Sequence, residues 1–300
     1  MHFLIAGSSG FLGTRLREEL ARREHTVTRL VRGEPSGPDQ QQWDPYADRA
    51  GLDAGLVAAA DVVVNLAGAP TFGNPHSQKW KRELEESRVA TTGTLARAIA
   101  EVEDRPVFLA GNGISYYGDR GDEVLDESAD SAGDHLLTHV SRVWQEAAEP
   151  AERSGARVVY LRTSPVLDRR SAPLSLLVPL FKAGLGGPLG SGEQYFPTIS
   201  TEDWVGAVVH CAEHDEVSGP VNLSLPEPAT NDEFTKALAK ALSRPALVKL
   251  PSFLIRPAAG DLAPELLGSV RAVPAALLDS GYSFAHPDIT DTVAAALAAG

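Results

Sequence analysis

The run Gly7-Ser8-Ser9-Gly10-Phe11-Leu12-Gly13 constrains the fold more than any other stretch of this chain. It comes directly after His2 to Ala6, which reads as a strand, and opens Phe11 to Arg23, which reads as a helix. Gly7 lets the chain turn tightly out of the strand. Gly10 removes the Cβ that would keep the backbone away from a pyrophosphate, and Gly13 lets the helix pack close to the sheet. With Ser9, Phe11 and Leu12 completing the turn, the helix N-terminus offers free N–H groups and a positive dipole to phosphates. A glycine-rich turn without a ligand shares the spacing, and it is the strand before and the helix after that favour a dinucleotide site.

Short β-branched runs and longer amphipathic stretches alternate through the first two-thirds. Strands are predicted at Thr26 to Val31, Ala60 to Leu66, Pro106 to Ala110 and Arg157 to Leu161, and helices at Gln78 to Ala100 and Leu136 to Arg153. Val62-Val63-Val64 suits a strand covered on both faces. Such spacing implies βαβ units, hence an α/β fold of the Rossmann type with a doubly wound parallel sheet. After Arg162 the rhythm changes. Gly184 to Gly192 carries too little side chain for regular structure, and Thr230-Asn231-Asp232-Glu233 is a capping box opening a helix to about Leu242. Pro245, Pro251 and Pro257 interrupt the chain beyond that helix. The expected organisation is a dinucleotide-binding domain over 1–165, rejoined by about 199–225. A smaller substrate-covering lobe takes 166–198 and 226–300, built on helices near 174–183, 231–242 and 289–298.

With 43% hydrophobic and 22% charged residues, 300 residues suffice for one large core or a core with an attached lobe. The net charge of −13 opposes nucleic acid and anionic lipid as main partners, while a local basic pocket for phosphate stays compatible with it. One cysteine, Cys211, suits a reducing compartment. The apolar run Phe3 to Ala6 stops at Gly7, too early for a signal peptide or a membrane span. The expectation is a cytoplasmic monomer or homodimer acting on a small molecule, with no membrane or nucleic-acid partner.

Ribose preference is set at the end of the second strand, where an NAD site places Asp or Glu against the 2′-hydroxyl. Arg32 stands there instead, and a guanidinium pairs bidentately with a 2′-phosphate, which favours NADP; a solvated surface charge is the alternative. Asn65-Leu66-Ala67-Gly68 leaves the third strand with small residues against which the adenosine half could lie, and a plain strand exit fits them equally well.

With these pieces the chain resembles an extended short-chain dehydrogenase/reductase, of the atypical subgroup described as nucleoside-diphosphate-sugar epimerase-like. The resemblance runs nearly end to end. It rests on the glycine turn, Arg32, Trp43-Asp44, Asn65 to Gly68, Ser87-Arg88, Tyr116-Tyr117-Gly118, Trp144 and Leu161-Arg162-Thr163. It continues through Gly184 to Gln194, Gly219 to Leu223, Arg244-Pro245 and Val273-Pro274, within a small C-terminal region that the subgroup carries. It implies a nicotinamide cofactor, with Leu66, Ala67 and Ser87 as contacts beside the glycine turn and Arg32.

Departures from the family fall where a substrate would face. Ordinary members use a Ser or Thr after the fourth strand and a Tyr-x-x-x-Lys on the next helix. The matching positions here are Asn112, Leu137 and Ser141, and Thr198 and Ser200 stand where the subgroup shows Trp and His. Carbonyl reduction then needs another proton donor. Tyr116 and Tyr117, at the sheet's C-terminal edge, are the candidates, with packing and loop capping as their alternative roles, and Asn112 could orient a carbonyl. His135 and His139 have the spacing of two metal ligands on a helix but no third ligand nearby. Glu127, within an acidic loop, resembles a recurrent family acid. Two functions compete: an NADP-dependent oxidoreductase or epimerase with a non-standard active site, and an NADP(H)-binding regulatory or scaffolding protein whose chemistry has decayed.

Overall fold

Along the first strand Phe3 and Ile5 point to one side and Leu4 and Ala6 to the other, all four fully buried, which requires a layer on each face. The computed structural model describes residues 1–47, 52–71 and 73–299. Its central sheet has seven strands: β1 (His2–Ala6), β2 (Thr26–Val31), β3 (Gln40–Gln42), β4 (Val62–Asn65), β5 (Val107–Gly113), β7 (Val158–Thr163) and β10 (Gly219–Leu223). Their order is β3-β2-β1-β4-β5-β7-β10, with parallel registers across β3, β2, β1, β4 and β5. The chain winds outward from β1 to β3 and then crosses to β4. β1 and β4 therefore flank the switch point outside whose carboxyl ends such sheets bind ligands.

By their internal contacts the residues fall into two units: Met1–Asn112, Arg142–Leu161 and Val208–Pro220, and Gly113–Ser141, Arg162–Ala207 and Val221–Gly300. Residues 113–141, expected with the dinucleotide-binding part, thus cluster with the second unit. In the first unit, one face of the sheet is covered by α2 (Ala54–Ala58), α3 (Gln78–Ala100) and α5 (Glu149–Arg153). Leu4, Val63, Phe108 and Val158 meet Leu95, Ile99 and Ala151 there. The helix α1 (Phe11–Arg22) buries Leu16 and Leu20. The single helix expected over 136–153 is two, α4 (Leu136–Glu146) and α5, because Pro150 cannot donate an N–H to a continuous helix and fits only a first turn. The three-glutamine strand β3 has no apolar pattern and escaped prediction; pairing with β2 alone makes it a strand.

In the second unit, α8 (Asn231–Ala241) starts at the expected capping box: Glu233 N donates to Thr230 Oγ1 at 3.3 Å and Thr230 N to Glu233 Oε2 at 2.7 Å. It packs Phe234 and Leu238 with Ile289 and Val293 of α12 (Ile289–Ala298) and with Leu174 and Phe181 of α6 (Leu174–Lys182). Two short parallel pairs complete this unit: β6 (Val124–Leu125) with β11 (Arg271–Ala272), and β8 (Val166–Leu167) with β9 (Ile199–Ser200). Asp203, at the start of α7 (Thr201–Glu213), is fully buried. Its carboxylate accepts from Ser200 Oγ at 2.8 Å, Ala285 N at 2.7 Å and His286 N at 3.0 Å, tying α7 to the segment before α12. Asp203→Ala would strand those donors, and urea denaturation should show a loss of about 3–5 kcal/mol.

Candidate functional site

The three glycines of the turn are glycines for different reasons. Gly7 has φ +80°, and a Cβ on it would sit 2.5 Å from the Leu66 carbonyl carbon and 2.6 Å from Ala67 N. A Cβ on Gly13 would lie 2.3 Å from Gly7 O. A Cβ on Gly10 would meet only Gly7 O, at 3.4 Å. Protein packing therefore demands glycine at 7 and 13, while position 10 faces open space that a phosphate could occupy. Gly10 N closes the turn on Gly7 O at 3.1 Å, and no side chain caps the N-terminus of α1. Ser9 is exposed, and Phe11 and Leu12 are half-buried. This is a cradle shaped for an anion, with unclaimed N–H groups at its floor.

At the end of β2 the two arginines behave differently. Arg29 is held bidentately by Asp39, at 2.6 and 3.0 Å, and holds the Asp39 carboxyl below its ordinary range. Arg32 is exposed, and its guanidinium meets no acid or carbonyl among the described residues. A Cβ on the adjoining Gly33 would meet nothing within 4 Å. Arg32 thus stands ready for an external anion, where Arg29 does not.

The exit of β4 is clamped from α3. Asn65 Nδ2 donates to Thr91 Oγ1 and Thr92 Oγ1 at 3.2 and 2.8 Å, and Asn65 Oδ1 accepts from Ala67 N at 3.1 Å. Thr91 Oγ1 donates to Ala67 O at 3.1 Å. Ser87 is 8% exposed; its hydroxyl accepts from Ala69 N at 2.8 Å and donates to Leu84 O at 3.3 Å. Its visible work is thus to hold the Leu66–Gly68 turn in place rather than to project from it. Arg88 goes beyond what sequence reasoning assigned. Nη1 donates to Ala69 O and Leu84 O at 3.1 and 2.9 Å, Nη2 donates to Thr71 Oγ1 at 2.9 Å, and the guanidinium lies 4.9 Å from the Trp144 ring centre. Burial pulls its pKa down to about 10.

The candidate proton donors separate sharply. Tyr117 is fully buried, and its hydroxyl donates to Asn222 Oδ1 at 2.8 Å, lies 3.0 Å from Asp126 O and accepts from Arg162 Nη1 at 2.8 Å. Burial pushes this phenol above its ordinary pKa. Tyr117 thus has its hydroxyl engaged by three partners. Tyr116 is half-buried, its hydroxyl bonds to nothing among the described residues, and the Arg162 guanidinium stacks 3.7 Å from its ring centre. Asn112, 3% exposed, sits near the end of β5.

Around these candidates lie groups that sequence reading did not single out or could not place. Glu127 accepts from Asn222 N at 3.0 Å and Ala276 N at 3.2 Å, and burial pushes its carboxyl up. Glu265, next to Pro264 of α10 (Ala263–Leu267), is also pushed up by burial and accepts from Ser115 Oγ at 2.6 Å. His135 and His139 line a cavity of about 580 Å³ with Asp134, Asp261 and Arg256, and no cluster of three metal-ligating side chains occurs among the described residues. The hydroxyls of Ser164 and Thr198 are buried without a hydrogen-bond partner among the described residues. Thr198 is one of the positions where the family resemblance breaks.

Residues 3–224 match the NAD dependent epimerase/dehydratase family, and residues 250–296 match a Domain of unknown function (DUF1731). An epimerase family protein of Mycobacterium leprae is 39% identical over 290 residues, covering 96% of this chain and 93% of its own. The crystal structure of human epimerase family protein SDR39U1 (isoform 2) with NADPH is similar at a TM-score of 0.86 and 30% identity, over 98% of both chains. That of the nucleoside-diphosphate sugar epimerase from Corynebacterium glutamicum is similar at 0.79 and 34%, over 99% of this chain and 58% of that one.

Two outcomes are expected from this geometry. Gly10→Val should keep the wild-type melting temperature yet abolish dinucleotide binding, whereas Gly7→Ala should lose at least about 3 kcal/mol of stability to strain and overlap. For Glu265, burial raises the folded pKa above the unfolded one, so between the two the native state holds more protons and stability falls as pH rises. Glu265→Gln should flatten that fall in urea titrations run from about pH 4 to about pH 8.

Proposed function

The chain belongs to the NAD dependent epimerase/dehydratase family, and on that premise we propose that it is an NADP(H)-dependent oxidoreductase or epimerase-like enzyme acting on a small carbonyl, hydroxyl or sugar-nucleotide substrate. The observation that carries the cofactor reading is the pairing of an open Gly10 cradle with an exposed, unengaged Arg32 at the end of β2. The first would take the pyrophosphate and the second the 2′-phosphate of NADP. The human relative crystallised with NADPH supports the same choice. Leu66, Ala67 and Gly68 would lie along the adenosine half, held in place by Ser87, Thr91 and Arg88.

Bound there, the nicotinamide would supply or accept a hydride. The chain itself must then move one proton to or from the substrate oxygen. Tyr116 is the residue proposed for that step, because its hydroxyl has no competing partner among the described residues and Arg162, stacked on its ring, holds the ring in place. Asn112 is proposed to orient the substrate oxygen by hydrogen bond. Reduction leaves the hydride on the carbonyl carbon and the phenolic proton on its oxygen; oxidation reverses both transfers.

A second reading, an NADP(H)-binding regulatory or scaffolding protein, is favoured by the replacement of the family's catalytic Tyr and Lys by Leu137 and Ser141. The two part at turnover. Calorimetric titration with NADPH and NADH comes first: NADPH should bind more tightly, and Arg32→Ala should cost roughly ten- to hundredfold in NADPH affinity while sparing NADH. No binding of either would overturn both readings. Tight NADPH binding with no absorbance change across carbonyl and sugar-nucleotide panels, in wild type and in Tyr116→Phe alike, would leave the regulatory reading standing.

A further inference from the structure

The net charge of −13 is unevenly spread. Residues 169–192 and 234–260 together hold eight Lys and Arg and no Asp or Glu, which leaves the rest of the chain more acidic than the total suggests. Both segments belong to the second unit, and they are stitched together: Val248 N donates to Gly186 O at 3.2 Å, Leu250 N to Pro188 O at 3.0 Å and Gly190 N to Leu250 O at 2.9 Å. The same two segments carry most of the large apolar side chains that the described residues leave in solvent. Leu247 is 84% exposed, Phe253 70%, Leu176 61% and Leu185 59%. On α6, Leu174 and Phe181 face the core while Leu176 and Leu180, one turn apart, are turned outward. Lys182, Lys240, Arg244 and Lys249 are exposed among them, without an acid partner among the described residues.

We propose that this basic and apolar face of α6, the Gly184–Gly192 loop and the 244–256 segment seats the protein on an anionic lipid surface. Exposed Leu and Phe on helix faces and loops, with long cationic side chains on the same segments, are what peripheral association with a bilayer uses: apolar side chains enter the headgroup boundary and the cations meet lipid phosphates. A second copy fits the face poorly. A two-fold contact would lay the patch on itself and bring like charges together. Asp232 and Glu193 border the face, and Asp232 pairs with Lys236, but Lys182, Lys240, Arg244 and Lys249 are left without an acid, so an overall acidic chain repelled at long range would dock through this side.

The test uses the full chain and sedimentation with vesicles of phosphatidylcholine, alone or mixed with phosphatidylglycerol. At least tenfold more protein should sediment with the anionic vesicles at low salt, and high salt should reverse it. Leu247→Asp with Phe253→Asp should abolish sedimentation while melting temperature and NADPH binding stay as in wild type, since both side chains are exposed. Lys240→Glu with Lys249→Glu should lower it tenfold or more. Equal sedimentation with both vesicle types, or none with either, overturns the proposal. A dimer in sedimentation velocity that the Leu247/Phe253 variant dissolves assigns the face to a second copy instead, and binding to an acidic apolar protein without vesicle binding assigns it to a protein partner.

Discussion

The constraint on which the site depends is the meeting of two strand exits, where Gly7 passes the Leu66–Ala67 peptide with no room for a Cβ. It exists because β1 and β4 are parallel neighbours in register, Ala6 beside Asn65, so both chains leave the sheet at the same height. One exit must turn into α1 and the other into the loop before α3, and only a glycine at φ +80° lets the first clear the second. The N-terminus of α1 is thereby set directly above the switch point of the sheet. The anion cradle is a consequence of this packing and needs no special device of its own.

What keeps the second exit in place is a group of buried polar side chains from the end of β4 and from α3. Asn65, Thr91, Thr92, Ser87 and Arg88 satisfy one another and the loop carbonyls, and Trp144 Nε1 adds a bond to Thr92 Oγ1 at 2.7 Å. Arg88 is unusual in this company: a buried cation whose hydrogen bonds go to carbonyls and a hydroxyl, with an aromatic ring at its side. Such a charge is costly to desolvate unless its donors are taken, and taking them spends them on shaping the loop. Arg162, in the second unit, touches two adjacent tyrosines differently: its Nη1 donates to the Tyr117 hydroxyl, and its guanidinium plane stacks on the Tyr116 ring.

The distribution of charge shows how an average misleads. A total of −13 reads as repulsion from every anionic surface, yet residues 169–192 and 234–260 hold eight Lys and Arg and no Asp or Glu. Long-range encounter depends on the total, but docking at contact distance depends on the patch, because screening confines each charge to its neighbourhood. The same separation of scales lets an acidic protein keep Arg32 open for a phosphate.

The glycine turn, Arg32, the capping box at Thr230 and the βαβ alternation were legible in the chain because each acts within a few residues or through a period that the sequence displays. So was the break in the cofactor-family pattern at Asn112, Leu137 and Ser141. Pro150 was equally visible, but its splitting of the helix over 136–153 was overlooked. Folding alone decided the rest. Three glutamines became β3 only because β2 offered an edge, and Tyr117 found a partner for its hydroxyl in Asn222, 105 residues later. Ser115 found Glu265 150 residues away, and the basic and apolar segments came together when 186–190 paired with 248–250. Backbone propensity and periodicity are local and can be read in one dimension. The environment of a hydroxyl or a carboxyl is set by whichever distant side chains the packed core delivers to it, and no spacing along the chain encodes that directly.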